Sequence, residues 1–276
     1  MIREHAPAKV NLVLQVGRPR SDGLHEICSI FASLGLADEL TLLASETDDD
    51  EVVCPGVDGP NLVAAALRLF RDRVDPGLPP LQVTIDKRIP VAAGLGGGSA
   101  DAAAALRAAN ELAGCPLDAL ELLDLAKELG ADVPSQVAPR HALVTGAGEH
   151  VERLQLPAMG LVLVPSADGL STADVYKEAD RIESTRERLD PDGLRALAAG
   201  PLAVLAAGVE NDLEPAARSL RPEIGERVER LRKAGALAAA VSGSGPTAFG
   251  VFSGPAVAER AAAAVPGAIV TRLAPG

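Results

Sequence analysis

Apolar and polar positions alternate near the start of the chain, as they do in a strand with one buried face. The apolar face of this strand carries Val10, Leu12, Leu14 and Val16. Lys9 and Asn11 therefore neighbour each other on the opposite face, roughly 7 Å apart. The spacing alone fits a functional pair and a solvated strand edge equally well. Further strands are predicted over 27–34, 39–43 and 81–86, and the last delivers two cationic side chains at 87 and 88.

Other stretches show helical spacing. An amphipathic helix is predicted over 61–71, with Asn61 as its N-cap, and another over 117–129. A long Ala/Leu helix is predicted over 189–208, and a buried strand over 161–165 opens a second domain. The pattern therefore predicts two domains, 1–156 and 157–276.

Composition limits the classes of protein to which the chain can belong. Aromatic residues make up only 2% of the 276 residues, so the cores must be packed from Ala, Leu and Val. A net charge of −12 argues against a nucleic-acid or anionic membrane surface. Three scattered cysteines, no secretory pattern and no run of about 18 apolar residues predict a cytoplasmic protein without a disulfide framework or zinc site.

A glycine-rich stretch, which we call the glycine loop, occupies residues 90–100. Its glycines allow the backbone to approach a ligand closely, and a strong helix former follows at once. Ser99 or Asp101 is expected to cap this helix, whose first amides and positive dipole end would face the loop. The stretch therefore predicts a phosphate-binding site.

Two common phosphate motifs are absent from the loop. No lysine follows the glycines, although a P-loop requires one, and residues 86–90 intervene before the glycines, whereas in a Rossmann fingerprint the strand runs straight into them. The loop instead resembles that of the superfamily of galactokinase, homoserine kinase, mevalonate kinase and phosphomevalonate kinase. The resemblance implies that the nucleotide is bound by Pro90, Val91, Ala92, Ala93, Gly94, Leu95, Gly96, Gly97, Gly98, Ser99 and Ala100.

The N-terminal segments 6–17 and 20–26 are similar to the family of 4-diphosphocytidyl-2-C-methyl-D-erythritol kinases. The resemblance implies that Lys9 and Asn11 lie at the active site and that His25 reads cytosine. Leu24 stands where the family usually has a tyrosine that stacks on the base, and Tyr176 is expected to cover its other face.

Asp132 lies in the sequence Gly-Ala-Asp-Val-Pro over 130–134. By itself, an aspartate before a proline is compatible with a plain turn. The resemblance implies that Asp132 is the catalytic base, and that Asn61 contacts ATP in addition to capping its helix. The pair at 135–136, Ser and Gln, is more polar than the family's usual pair.

The resemblance further implies an α+β fold of two domains, an N-terminal domain like ribosomal protein S5 and a C-terminal ferredoxin-like domain. A second glycine turn over 242–249 has the form of the superfamily's third motif, which folds back against the glycine loop. The implied reaction is ATP-dependent phosphorylation of the 2-hydroxyl of the cytidine-linked methylerythritol, with Mg²⁺ held partly by Ser99. Another kinase of the superfamily, acting on mevalonate or homoserine, and a non-catalytic sensor remain alternatives. The expected partner is a small molecule, and the chain is expected to be a monomer or homodimer.

Overall fold

The structure is a computed structural model that describes residues 1–57, 61–166 and 168–275. Its strands are β1 (Ile2–Pro19), β2 (His25–Ala44), β3 (Glu51–Val53), β4 (Leu81–Asp86), β5 (Ala142–Gly146), β6 (His150–Arg153), β7 (Gly160–Val164), β8 (Glu210–Asn211), β9 (Ala238–Val241), β10 (Ala248–Phe252) and β11 (Ile269–Arg272). Its helices are α1 (Leu62–Val74), α2 (Gly97–Leu112), α3 (Ala119–Leu129), α4 (Val133–Val137), α5 (Thr172–Arg181), α6 (Pro191–Ala199), α7 (Leu202–Ala207), α8 (Glu214–Leu220), α9 (Glu223–Lys233) and α10 (Pro255–Ala262). Within the described part of the chain, no helix has both the length and the apolar character needed to cross a bilayer.

One compact unit, the first unit, comprises Met1–Ala8, Leu36–Val91 and Gly96–Pro139. The second half of β2 pairs antiparallel with β4, and β3 pairs with β4 in parallel. The core of this unit is built around α2, whose alanines are almost all buried and let α1 and α4 pack closely against it. A core of small side chains thus compensates for the scarcity of aromatic residues.

The second unit comprises Lys9–Gly35, Ala92–Leu95 and Arg140–Gly276. The first half of β2 pairs antiparallel with β5, which pairs with β6, while β1 pairs in parallel with β8. A separate antiparallel sheet has the order β11-β7-β10-β9. Leu14 and Val16 of β1 belong to the same hydrophobic core as Val162, Val164 and Phe252 of that sheet. The chain therefore passes between the two units several times, and the single cut at 156/157 stays a prediction.

Several predicted elements are confirmed and others are wrong. The strand over 81–86 is confirmed as β4, but the strands expected over 27–34 and 39–43 form one continuous strand, β2. The helix expected over 189–208 is divided into α6 and α7, since Pro201 lacks an amide hydrogen and Gly200 ends α6. Asp132 lies in a turn closed by the Val133 N–H donating to the Gly130 carbonyl, and Pro134 follows in the first turn of a short helix, α4, where proline is tolerated.

Candidate active site

The middle of the glycine loop, residues 92–95, is held by hydrogen bonds from two distant segments. The backbone N–H of Lys9 in β1 donates to the carbonyl of Leu95 at 2.9 Å. The Ser242 hydroxyl donates to the carbonyl of Gly94 at 3.1 Å. The N-terminal strand, the glycine loop and the second glycine turn therefore meet within the second unit. This meeting confirms the prediction that the turn over 242–249 folds back against the loop.

Gly94 has no space for a side chain. Its φ is +73°, and a Cβ added there would lie 2.4 Å from the carbonyl oxygen of Gly245. Beside it, the Thr247 N–H donates to the carbonyl of Ala93 at 3.3 Å. Only glycine meets both the conformation and the spacing at position 94, so the loop backbone is fixed by packing as well as by hydrogen bonds.

Lys9 and Asn11 point into the protein interior, with 4% and 2% of their surface exposed, so the solvated-edge interpretation is wrong. The Lys9 ammonium donates to Asn11 Oδ1 at 2.8 Å and lies 4.5 Å from the centre of the Phe31 ring. Asn11 Nδ2 in turn donates to the Ser29 hydroxyl at 2.9 Å. A buried ammonium needs such partners, and here they fix its position next to the glycine loop.

The end of the glycine loop forms the start of α2. Gly96 is the N-cap, with φ +72°, and no side chain caps the helix. The expectation that Ser99 or Asp101 caps α2 is therefore wrong: Gly97 and Gly98 already have helical geometry, which places both residues inside the helix. Ser99 is half-buried in the first turn. An uncapped helix start offers amide donors and a positive dipole end to an anion.

The side chain of Lys87, just after β4, lies behind this helix start. Its ammonium donates to Asp38 at 2.5 Å and to Asp101 at 2.8 Å, and lies 3.3 Å from where a Gly97 Cβ would be. Burial raises the pKa of Asp101 to about 7, although the Lys87 ammonium acts in the opposite direction. Burial also disfavours the charge on Lys87, but the hydrogen bonds to both carboxylates outweigh it and raise the pKa of Lys87. Lys87 is thus fixed in a buried cluster that sets the position of the loop's end.

Asp132 is half-buried and precedes the first residue of α4, in the first unit. The Ser135 hydroxyl donates to the Asp132 carbonyl at 2.7 Å, and Arg107 donates to the Gln136 carbonyl at 2.7 Å. Ser135 and Gln136 are both buried, so this polar pair is packed and holds the segment that carries Asp132. The role of Asp132 as the catalytic base stays a prediction.

Asn61 caps α1, as predicted. Its Oδ1 accepts a hydrogen bond from the backbone N–H of Val63 at 2.9 Å. The N-cap assignment is confirmed, whereas a contact of Asn61 with ATP stays a prediction.

Two of the side chains expected to bind cytosine, His25 and Tyr176, meet within the second unit. The His25 and Tyr176 rings have centroids 4.9 Å apart at an interplanar angle of 39°. His25 Nδ1 lies 2.9 Å from the Gly17 carbonyl, which can only accept, so Nδ1–H donates and the ring orientation is fixed. Asp180 Oδ2 lies 3.4 Å from His25 Nε2, at the other edge of the ring. Leu24 is 54% exposed, which leaves its side chain accessible to a ligand.

Some residues of the site carried no sequence signal. Phe31 beneath Lys9 reads as an ordinary member of an apolar run, and Asp180 as one of many surface carboxylates. Ser242 and Thr247 lie in the second glycine turn, where the run of small residues could have indicated them. Two cavities along α1 are lined by other described residues and contain none of the predicted site. Among the residues that the structure describes, no group of three His, Cys, Asp or Glu side chains is placed to hold a metal ion.

Comparisons with known proteins agree with this geometry. The model of the GHMP kinases N-terminal domain matches residues 61–139, and that of the GHMP kinases C-terminal domain matches residues 194–270. A 4-diphosphocytidyl-2-C-methyl-D-erythritol kinase of Streptomyces avermitilis is 44% identical over 254 residues, which cover 87% of this chain and 84% of the relative. One from Rhizobium leguminosarum bv. trifolii is 40% identical, covering 96% of this chain and 91% of the relative.

Solved structures extend the comparison. A crystal structure of 4-(cytidine 5'-diphospho)-2C-methyl-D-erythritol kinase matches with a TM-score of 0.83 and 35% identity, covering 100% of both chains. A homoserine kinase from Cytophaga hutchinsonii matches with a TM-score of 0.74 at 19% identity, covering 99% of this chain and 94% of that one, and therefore shares the fold.

The fold and the glycine loop define a small-molecule kinase with an α+β architecture of two domains, as predicted. The chain belongs to the GHMP kinases and, within them, to the family of 4-diphosphocytidyl-2-C-methyl-D-erythritol kinases.

Proposed function

We propose that the protein transfers the γ-phosphoryl group of ATP to the 2-hydroxyl of 4-diphosphocytidyl-2-C-methyl-D-erythritol, in the non-mevalonate route to isoprenoid precursors. The observation that carries the proposal is the meeting of Lys9, the glycine loop and the second glycine turn at Gly94, in a chain with relatives of this activity. Phosphoryl transfer depends mostly on positioning and on charge neutralisation. The hydrogen bonds that join the N-terminal strand, the glycine loop and the second glycine turn provide the positioning.

The glycine loop has the properties that a triphosphate requires. The position of Gly94 leaves room for backbone but not for a side chain, and α2 begins without a side-chain cap. Loop residues 90–100 would therefore hold the β- and γ-phosphates through backbone amides and the helix end. Asn61 would contact the nucleotide next to its helix cap.

Ser99 is the residue that would contact Mg²⁺. Its half-buried hydroxyl lies in the first turn of α2, where the phosphates would bind. Magnesium in kinases is commonly held by one or two protein ligands together with the phosphates, and one hydroxyl fits that pattern. The bound ion would neutralise charge on the phosphates.

Asp132 would accept the proton of the substrate's tertiary hydroxyl as phosphoryl transfer proceeds. Lys9 would offset the negative charge that develops on the transferred group. Lys9 is already immobilised by Asn11, so little side-chain entropy is lost when the substrate binds. Asn11 would in turn contact the substrate.

Cytosine would bind beside the His25–Tyr176 pair. His25 cannot turn freely, because its Nδ1–H is held by Gly17, and so it presents Nε2 in a fixed direction. Tyr176 would cover one face of the base, and the exposed side chain of Leu24 the other. Binding energy from this end would orient the reacting hydroxyl.

A panel of acceptors tests the proposal. The purified protein is mixed with ATP, Mg²⁺ and either the cytidine compound, mevalonate or homoserine, and release of ADP is followed. The cytidine compound should be turned over at least about 100-fold faster than the others, since they lack the group that the His25–Tyr176 site would bind. A phosphate monoester on the 2-oxygen, identified by phosphorus NMR, should be the product. Equal turnover of mevalonate or homoserine would contradict the substrate assignment.

The proposal extends to the cellular location of the enzyme, its oligomeric state and its partners. We place the enzyme in the cytoplasm, where its three unpaired cysteines would remain reduced. We expect a monomer or a homodimer without nucleic-acid or membrane partners, given the net charge of −12. Light scattering of the purified chain and a nucleic-acid retention assay would test both points.

A further inference from the structure

Asp180 is a charged side chain at the proposed cytosine site to which no role has been assigned above. It lies four residues after Tyr176 on α5, so the two side chains share one face of the helix. Its Oδ2 is 3.4 Å from His25 Nε2, the ring nitrogen that faces away from Gly17. The Tyr176 phenol ring, the His25 imidazole and the Asp180 carboxylate therefore lie together in the second unit.

The carboxylate is available to a ligand. The Asp180 side chain is 41% exposed, whereas that of His25 is only 7% exposed. The neighbouring Arg181 turns to Glu178, with Nε–Oε2 at 2.6 Å. Asp180 therefore combines access from solvent with a position beside the His25 ring.

We propose that Asp180 is a specificity-determining residue that accepts a hydrogen bond from the exocyclic amino group of cytosine. A carboxylate is an acceptor only, and cytosine presents an N–H donor at its 4-position where uracil presents a carbonyl oxygen. Uracil would place two acceptors against each other, and burying that mismatch is costly. The inference rests on the proposed function, since it requires a cytidine-linked substrate.

The test compares the cytidine substrate with its uridine counterpart in the wild type and in Asp180→Asn. An amide can present either an acceptor or a donor, so this variant should tolerate both bases. The ratio of kcat/KM values, cytidine over uridine, should fall by about 10–100-fold, as expected for loss of a charged hydrogen bond. The change should appear in KM for the pyrimidine substrate and leave KM for ATP unaltered. A ratio within twofold of the wild-type value would overturn the inference.

Asp174→Asn is the matched control. Asp174 lies on the same helix, is 61% exposed and is 3.8 Å from Lys177, so the variant removes the same charge away from the site. Its base preference should equal that of the wild type. A fall as large as that in Asp180→Asn would assign the effect to net charge and reject the proposed contact.

A substrate analogue keeps the test decisive if Asp180→Asn folds poorly. A 2-pyrimidinone analogue, which lacks the 4-amino group, should lose about 10–100-fold in kcat/KM with the wild type. In a folded Asp180→Asn the same deletion should cost less than in the wild type, because an amide oxygen accepts a weaker hydrogen bond than a carboxylate does. Full activity of the wild type on this analogue would refute the contact. Failure of the wild type to phosphorylate even the cytidine compound would instead refute the proposed function.

Discussion

The backbone at Asp132 is held in place by the Ser135 hydroxyl, which donates to the Asp132 carbonyl, and by the buried residues that follow. The Asp132 side chain does not cap α4. The carboxylate is therefore positioned without being consumed as a helix cap. Part of this was accessible from the sequence, where the motif indicated the residue. The buried support from Ser135 and Gln136 was not accessible, since two polar residues after a proline read as exposed.

Replacing Asp132 with asparagine should lower kcat by ~10²–10⁴-fold, the usual value of a positioned general base, with the Kd for ATP nearly unchanged. Steady-state kinetics and calorimetry measure the two quantities. Asp124→Asn, at an exposed aspartate on α3 that pairs with Lys127, is the control and should keep its kcat. If Asp132→Asn retained a third of the wild-type kcat, Asp132 could not be the base.

Leu24 offers a second test at the scale of one side chain. Leucine would already bury apolar surface on the base, so Leu24→Tyr should gain only about 0.5–1.5 kcal/mol from aromatic pairing and lower KM for the cytidine substrate several-fold. Tyr176→Ala should raise the same KM, and the two changes should be non-additive because both residues would touch one ring. KM for ATP is the internal control. A shift in that constant would be evidence against the assignment of Leu24 to the base site.

The raised pKa of Asp101 should make the free energy of unfolding depend on pH. Burial raises its pKa from 3.8 to about 7 in the folded chain, so the native state keeps a proton that the unfolded chain releases between these values. The free energy of unfolding that Asp101 contributes therefore falls as pH rises from about 4 to 7 and is level above that. Asp101→Asn lacks this term, so the stability of the wild type relative to the variant should decrease over that range, by at most about 4 kcal/mol. Urea unfolding at several pH values measures it, and parallel curves would mean that Asp101 ionises normally.

At the scale of elements, the glycine loop is a backbone whose shape is set from outside. Gly94→Ala would need a positive φ and would bring its methyl group against the Gly245 carbonyl. We expect a loss of roughly 1–3 kcal/mol in stability and at least tenfold weaker ATP binding. Gly56→Ala is a matched control, because Gly56 also has a positive φ, of +79°, but its Cβ would meet nothing within 4 Å. That variant should lose some stability yet keep its ATP affinity, and an equal loss of affinity in both would reject the steric explanation.

Element boundaries were predictable where local pattern decides them. β4 alternates cleanly and was predicted over its full length. β2 was divided in two because Asp38 interrupts its apolar pattern, yet Asp38 is fully buried and accepts backbone hydrogen bonds from Arg88 and Ile89. Those partners lie about fifty residues away in the sequence. The local sequence around Asp38 therefore cannot indicate that its side chain is buried and hydrogen-bonded.

At the scale of the whole molecule, the predicted cut at 156/157 can be tested directly. A fragment of residues 157–276 would lose Leu14 and Val16 from the core that they share with β7 and β10, at about 1.5–3 kcal/mol for each buried side chain. Since domains are stable by only about 5–15 kcal/mol, this fragment should be much less cooperative in thermal unfolding than the full chain. Co-expression with residues 1–156 should restore the transition. A fragment that melts as sharply as the whole chain would support an independent C-terminal domain.

The class of fold was predictable because three glycine- or motif-rich segments, far apart in sequence, agreed on one family. The path of the chain between the two units was not predictable. The residues of the glycine loop are divided between both units, and this division depends on packing that no sequence motif encodes. Sequence reasoning could therefore propose candidate reactive residues, but it could not indicate the supports around them, such as Phe31 under Lys9.

The ring that leans against His25 belongs to the one tyrosine of the chain, which contains no tryptophan. All of the protein's tyrosine emission therefore originates from a single position, beside the proposed cytidine pocket. A ligand that stacks on the Tyr176 ring would change its fluorescence, and the chain has no tryptophan or second tyrosine whose emission would interfere. The protein thus carries a built-in optical reporter, and binding of the substrate could be titrated without a label.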